Sequence, residues 1–125
     1  MTVGILLVKA AKVPKQPNIY EQISVSLVLM GNQLTDVRGL GKLTKLTILI
    51  LNGNRLAQLP KGLANLKQLE YLDLRLNEIT DVSDLKKLLT LTELQLGDNP
   101  DLTKAQIDHL KKSLPKCRIN SNSTN

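Results

Sequence analysis

The chain has 125 residues, of which 42% are hydrophobic, and it carries a net charge of +6 at neutral pH. This length and composition predict one folded domain with an aliphatic core, because its only aromatic residues are Tyr20 and Tyr71. No apolar run reaches the ~20 residues that a membrane-spanning helix needs, and the single cysteine, Cys117, excludes an internal disulfide framework.

Residues 1–23 are predicted to form an irregular N-terminal lead-in or cap. They contain Pro14 and Pro17 and fit no pattern found later in the chain. The apolar run Val3–Val8 has no basic stretch before it and no clean cleavage site after it, so it indicates a remnant strand or a cap rather than a secretory signal. Together with the single cysteine, this favours a cytoplasmic location. Such a thin cap leaves an exposed sheet edge, so the chain is expected to be a monomer or an edge-paired homodimer.

Leucines and asparagines then recur in a fixed frame. The four segments that share it read SVSLVLMGNQL from Ser24, LTILILNGNRL from Leu46, LEYLDLRLNEI from Leu69 and LTELQLGDNPDL from Leu91. Their asparagines, Asn32, Asn54, Asn77 and Asn99, are 22, 23 and 22 residues apart. The common frame L-x-x-L-x-L-x-x-N-x-L defines repeats at 24–45, 46–68, 69–90 and 91–102. Each copy is predicted to open with a short strand that pairs in parallel with the next.

This frame resembles that of the leucine-rich repeat family. The resemblance implies an α/β solenoid, a right-handed superhelix with about four short parallel strands on its concave face and short turns or 3₁₀ returns on its convex face. The returns Leu34–Val37 and Ile79–Val82 are similar to the 22-residue repeats of bacterial internalins, whereas Leu59–Pro60 resembles the commoner 23-residue form. The family resemblance also implies recognition of another protein.

Residues 103–119 are predicted to form a C-terminal helix-and-strand cap. Thr103 and Gln106 have the spacing of a capping box, and a helix is expected to run from there to about Leu114. Its apolar residues are expected to pack over the last repeat; they are Ala105, Ile107, Leu110 and Leu114. Cys117 and Ile119 should then face inward from a final strand, and residues 120–125 should form a disordered polar tail.

The sequence offers no catalytic, cofactor-binding or metal-binding constellation, and the chain is predicted not to be an enzyme. The asparagine column is interpreted as structural, because a short amide at each corner can bond to buried backbone groups. His109, the only histidine, is expected to be a solvated side chain of the cap helix. Cys117 is expected to be a buried and unreactive thiol.

The concave face is the predicted site of binding to a protein or peptide. Its first half is apolar, and its second half is acidic around Tyr71, which is the expected anchor. The predicted contact residues are Val28, Met30, Ile48, Ile50, Asn52, Glu70, Tyr71, Asp73, Arg75, Glu93, Gln95 and Asp98. Counted by position in the frame, this face carries four acidic residues and one basic residue, whereas lysines and Arg118 are expected on the returns and the cap.

Two other interpretations remain open at this point. The basic convex lysines could bind nucleic acid or an anionic surface, although no aromatic residues interleave with them, which makes nucleic acid the weaker partner. The chain could also be an orphan fragment of a larger repeat protein, because the N-terminal cap is thinner than the family usually has.

Overall fold

The computed structural model describes residues 2–4, 11–12, 25–28, 37–38 and 40–122, with side chains from residue 40 onward. The strands are β1 (Thr2–Gly4), β2 (Ala11–Lys12), β3 (Val25–Val28), β4 (Val37–Arg38), β5 (Leu46–Ile50), β6 (Tyr71–Asp73), β7 (Glu93–Gln95) and β8 (Arg118–Asn120). The 3₁₀ segments are Leu40–Lys42, Leu63–Asn65 and Ser83–Lys87, and one α-helix, α1, spans Lys104–Ser113.

One parallel sheet forms the concave face of the solenoid. Its strand order is β1-β3-β5-β6-β7-β8, and β2 pairs separately with β4. The four predicted repeat strands are therefore confirmed as β3, β5, β6 and β7, with one more strand at each end. The irregular lead-in expected over residues 1–23 contains two pieces of regular structure, because β1 pairs in register with β3 and β2 pairs with β4. Pairing with the neighbouring repeat imposes strand geometry there without the leucine frame.

Leucine layers fill the space between the sheet and the convex returns. In each described repeat, the frame leucines are almost fully buried, as Leu49, Leu72 and Leu94 show at the same sheet register. The returns contribute a second set, which includes Leu40, Leu63 and Leu85 from the three 3₁₀ segments. Each repeat thus buries its apolar face against its neighbours, which is how a solenoid is held together.

The asparagine column is structural, as predicted. The side chain of Asn77 donates to the carbonyls of Leu51 (3.0 Å), Leu74 (3.1 Å) and Arg75 (3.1 Å), and its Oδ1 accepts from the Leu56 amide at 3.0 Å. Asn99 repeats this geometry one layer on, donating to the carbonyls of Leu74 and Leu96 and accepting from Ile79 N–H. Asn77 and Asn99 therefore each bond to their own repeat and to the preceding one. Asn32 lies outside the described residues.

The capping helix α1 begins at the predicted residue. Thr103 Oγ1 accepts from the Gln106 amide at 3.2 Å, and Gln106 Oε1 accepts from the Thr103 amide at 3.2 Å, which completes the capping box. Ile107 and Leu110 are buried as predicted. The predicted packing of Ala105 over the last repeat is wrong, because Ala105 is exposed, ~200° around the helix from Ile107. Within the described part of the chain, no helix is both long and apolar enough to span a membrane.

Candidate functional site

Sheet register places the concave side chains in rows that run across the strands. Ile48 lies opposite Tyr71, and Tyr71 lies opposite Glu93. In the next row, Ile50 lies opposite Asp73, and Asp73 opposite Gln95. Val28 occupies the position opposite Ile50 on β3, but its side chain and the whole of Met30 lie outside the described part of the structure.

The predicted face is partly exposed on three strands. Ile48, Ile50, Asn52, Tyr71, Glu93 and Gln95 are half-buried, and Glu70, Arg75 and Asp98 are exposed. The isoleucines of β5 and Glu93 of β7 therefore flank Tyr71 on either side. Of the predicted apolar half, only Ile48 and Ile50 lie among the described side chains.

Asp73 departs from the expected exposure, because its side chain is only 2% exposed. Arg75 folds back over it, with Nε 3.0 Å from Asp73 Oδ1 and an NH2 nitrogen 2.8 Å from Oδ2. Asn52 Nδ2 donates to Oδ2 at 2.9 Å, and the Arg75 amide donates to Oδ1 at 3.0 Å. Four hydrogen bonds thus surround a carboxylate that the sequence pattern places on the open surface.

These hydrogen bonds set the charge of Asp73. Burial on its own would raise the pKa of the carboxyl, but hydrogen bonds from Arg75 and Asn52 outweigh burial and hold the pKa below its ordinary value. Asp73 is therefore ionised at neutral pH and forms an ion pair with Arg75.

Asp73→Asn is expected to lower the free energy of unfolding by about 1–3 kcal/mol at pH 7, because in either orientation the amide NH2 would face donors, two from Arg75 or one each from Arg75 and Asn52. The pKa of Asp73 is lower in the folded state than the ~3.9 of an unfolded aspartate, so the ionised group stabilises the fold above that pH. This stabilisation is lost as the pH falls through the folded pKa. Urea unfolding at several pH values measures the difference between native and variant proteins. A difference that stays constant from pH 6 to about pH 2 would contradict the assignment.

Strand β8 adds two concave residues that the sequence prediction missed. Arg118 was expected among the convex and cap cations, yet it pairs in register with Glu93 on the sheet, and Asn120 pairs with Gln95. The alternation that turns Ile119 inward also turns Arg118 and Asn120 outward, so the signal was present in the sequence. The concave sheet therefore extends one strand beyond the predicted repeats.

Hydrogen bonds tie the polar side chains of β7 and β8 together. Asn120 Nδ2 donates to Gln95 Oε1 at 3.2 Å, and Gln95 Nε2 donates to Glu93 Oε2 at 2.6 Å.

Burial, followed by the charges of Asp73 and Glu93, raises the pKa of Tyr71 above its ordinary value. Tyr71 is therefore a neutral hydroxyl beside fixed carboxylates at physiological pH.

Leu76 is exposed in an unfavourable backbone conformation. It has a φ of 57° and the residue is 55% exposed, whereas the equivalent position in the preceding repeat is Gly53, with a φ of 71°. The left-handed conformation costs a residue with a Cβ about 1–2 kcal/mol. Leu76 thus has an unfavourable backbone conformation and little apolar burial.

Leu76→Gly is expected to raise the free energy of unfolding by about 0.5–1 kcal/mol, because relief of the left-handed strain exceeds the extra entropy that glycine has in the unfolded chain. Chemical denaturation measures this change. Leu89→Gly is the matched control: Leu89 is 80% exposed at an ordinary φ, so its loss should destabilise the protein slightly. Destabilisation by Leu76→Gly as large as that of the control would contradict the assigned strain.

The single histidine and the single cysteine of the sequence are not among the residues of the predicted concave face. His109 is exposed on α1, as predicted. Cys117 is half-buried against the core just before β8, where burial, and then the charge of Glu93, raises the pKa of its thiol. Among the described residues, no three His, Cys, Asp or Glu side chains are grouped so that they could hold a metal ion.

Comparison with known proteins identifies the family. The leucine rich repeat family model matches residues 44–100, which hold the second and third copies of the frame and the fourth copy as far as Pro100. The chain is a leucine-rich repeat protein. Proteins of this family generally mediate protein–protein interactions and are typically non-enzymatic.

Relatives and solved structures share these repeats over much of the chain. A probable inactive serine/threonine-protein kinase of Dictyostelium discoideum is 39% identical over an alignment of 106 residues that covers 79% of this chain and 5% of that protein. A leucine-rich repeat protein from Leptospira interrogans superposes with a TM-score of 0.69 at 30% identity, covering 89% of this repeat protein and 29% of the other.

The predicted resemblance to internalins is confirmed. An internalin from Listeria monocytogenes superposes with a TM-score of 0.59 over 94% of this chain and 40% of its own. At 23% identity, this likeness concerns the fold alone. The repeat protein spans less than half the length of each of these three proteins.

Proposed function

We propose that this leucine-rich repeat protein is a non-enzymatic recognition module that binds another protein or a peptide through its concave face. The observation that carries the proposal is the alignment of Ile48, Ile50 and Tyr71 on neighbouring strands, half-buried and bordered by charged side chains. Partly exposed aliphatic side chains next to an aromatic residue and a polar rim are typical of the centre of a protein interface.

The surroundings of Tyr71 support its role as an anchor. Tyr71 is one of two aromatic residues in the sequence. It lies between the isoleucines of β5 and Glu93 of β7. The ion pair of Asp73 and Arg75 fixes the next row of the same face. A partner would therefore meet a surface whose polar groups are already oriented, which lowers the entropy cost of binding.

Affinity capture with three matched forms of the protein tests this proposal. The face variant carries Ile50→Asn and Tyr71→Ala, and the control carries Lys86→Ala and Leu89→Asn on the returns, away from the sheet. Both variants leave Asp73 unchanged, because replacing that buried carboxylate would disturb the fold. Circular dichroism and thermal unfolding first establish that both variants fold like the native protein.

A partner that the native protein and the control retain, and that the face variant loses, is the expected result. Loss of the partner by the control alone, together with release by salt, would contradict the proposal and favour binding of an anionic partner through the convex lysines. Turnover of any substrate by the purified protein would contradict the non-enzymatic assignment.

A further inference from the structure

We propose that the partner segment recognised by the concave face is basic and amphipathic, with apolar side chains directed to Ile48, Ile50 and Tyr71 and cationic side chains directed to Glu70 and Glu93. This inference depends on the proposed function and names the chemistry of the partner. It follows from which concave charges are already neutralised inside the protein and from where the remaining ones lie relative to the apolar strip.

The first step concerns the charges that a partner could use. Asp73 is buried and receives four hydrogen bonds, and its bidentate ion pair occupies the Arg75 guanidinium. Neither charge is therefore left to attract a partner. The ionised groups that remain on the described part of the face are the acids Glu70, Glu93 and Asp98 and the base Arg118. The face is thus locally acidic on a protein of net charge +6.

The second step concerns the separation of the apolar and acidic parts. Ile48, Tyr71 and Glu93 form one row across β5, β6 and β7, and neighbouring strands are about 4.8 Å apart. The backbone positions of Ile48 and Glu93 are therefore about 10 Å apart, with Tyr71 between them. An α-helix with its side chains is about 10–12 Å wide. A segment with an apolar side and a basic side would match both ends of this row.

The third step concerns the length of the contact. Tyr71 begins β6, which ends at Asp73, and Leu76 lies five residues after Tyr71 in a left-handed backbone conformation. Leu76 is exposed, and the equivalent positions of the two neighbouring repeats hold Gly53, which has no side chain, and the charged Asp98. It would therefore offer a second apolar contact to a partner lying along β6.

The proposed preference opposes the overall charge of the molecule. A net charge of +6 attracts acidic peptides to the surface in general, so non-specific binding should select acidic sequences. Basic sequences are expected only among peptides that bind on the concave face. This opposition allows local recognition to be separated from bulk electrostatics.

Selection from a displayed library of random 14-residue peptides tests the inference. The native protein and the charge-neutral Ile50→Asn/Tyr71→Ala variant are used as parallel baits, and peptides captured only by the native protein are sequenced. We expect these peptides to be enriched in basic residues (Lys or Arg) and also in aliphatic residues (Leu or Ile). Face-dependent peptides that are acidic, or that lack apolar residues, would overturn the inference while leaving concave recognition intact. Absence of any face-dependent peptide would overturn both.

Glu70→Gln/Glu93→Gln then isolates the electrostatic contribution. A synthetic amphipathic 14-residue peptide of leucine and lysine is titrated by fluorescence anisotropy, with its leucine–glutamate counterpart as the matched peptide. Removal of the two carboxylates is expected to weaken binding of the lysine peptide about fivefold and to reduce its dependence on salt. Equal affinity of the variant and the native protein for the lysine peptide would overturn the inference. The inference would also be overturned if the native protein bound the leucine–glutamate peptide more tightly than the leucine–lysine peptide through the same face.

Discussion

Replacing Asn77 with alanine is expected to lower the free energy of unfolding by about 3–5 kcal/mol. The substitution removes hydrogen bonds to the carbonyls of Leu51, Leu74 and Arg75, and it leaves the buried Leu56 amide without the acceptor that Asn77 Oδ1 provides. A buried donor left unpaired costs about 1–3 kcal/mol by itself, and the loss of each of the two N–H donors of the amide adds about 1 kcal/mol. Equilibrium unfolding in urea measures the total.

Two further variants identify the cause of this loss. Asn77→Asp keeps the shape and the acceptor but replaces the donating amide with an oxygen, which would face three carbonyl oxygens. It should therefore destabilise the protein at least as much as alanine does. Asn65→Ala, at an exposed position on the convex side, should change stability by less than about 0.5 kcal/mol. Similar small effects for Asn77→Ala and Asn65→Ala would show that the hydrogen bonds of the column contribute little.

Replacing Gly62 with alanine is expected to lower the free energy of unfolding by about 2–5 kcal/mol. Gly62 has a φ of 85°, and a Cβ there would lie 2.8 Å from both the Cα and the backbone nitrogen of Gly41 in the preceding return. The left-handed conformation costs a residue with a Cβ about 1–2 kcal/mol, and moving two backbone segments apart costs a further 1–3 kcal/mol or so. Thermal and urea unfolding measure the loss.

Gly97→Ala is the matched control for this substitution. The nearest atom to a Cβ at Gly97 is Arg75 Cγ, at 3.9 Å, which is an ordinary contact distance. The control should therefore unfold within about 0.5 kcal/mol of the native protein. If Gly62→Ala were as stable as Gly97→Ala, the close approach of the two returns would not limit the spacing of the repeats.

The repeat architecture could be predicted because each structural role recurs at one place in the frame. Leu72 and Leu94 are buried for the same reason, and Asn77 and Asn99 bond to equivalent carbonyls one layer apart. A pattern that returns every 22 or 23 residues carries this information in the spacing alone. The capping box is likewise encoded locally, since Thr103 and Gln106 are three residues apart.

The state of individual concave side chains could not be predicted in the same way. The frame places Asp73 on the outward side of β6, and this is correct for the backbone. Its burial depends on Arg75 folding back and on Asn52 reaching across from the preceding repeat. Such contacts depend on which residue types occupy neighbouring positions in adjacent repeats. The position of one residue in the frame does not specify those types.

The N-terminal strands illustrate a different limit. Thr2–Gly4 and Ala11–Lys12 adopt strand geometry by pairing with Ser26 and its neighbours on β3 and with Val37–Arg38 on β4. Their sequences lack the leucine and asparagine positions by which a repeat is recognised. The apolar run Val3–Val8 indicated a strand that overlaps β1, but no local pattern indicated β2, whose strand structure comes from pairing with the adjoining repeat.

Neighbouring asparagines of the column share carbonyl acceptors, and this sharing affects how cooperatively the repeats unfold. The Leu74 carbonyl accepts from Asn77 of its own repeat and from Asn99 of the next, and the Leu51 carbonyl accepts in the same way from Asn54 and Asn77. Separating any two of these layers therefore breaks the asparagine hydrogen bonds that cross between them. Residues 46–102 should consequently unfold as one cooperative unit, and their slowest-exchanging amide protons should share one opening free energy.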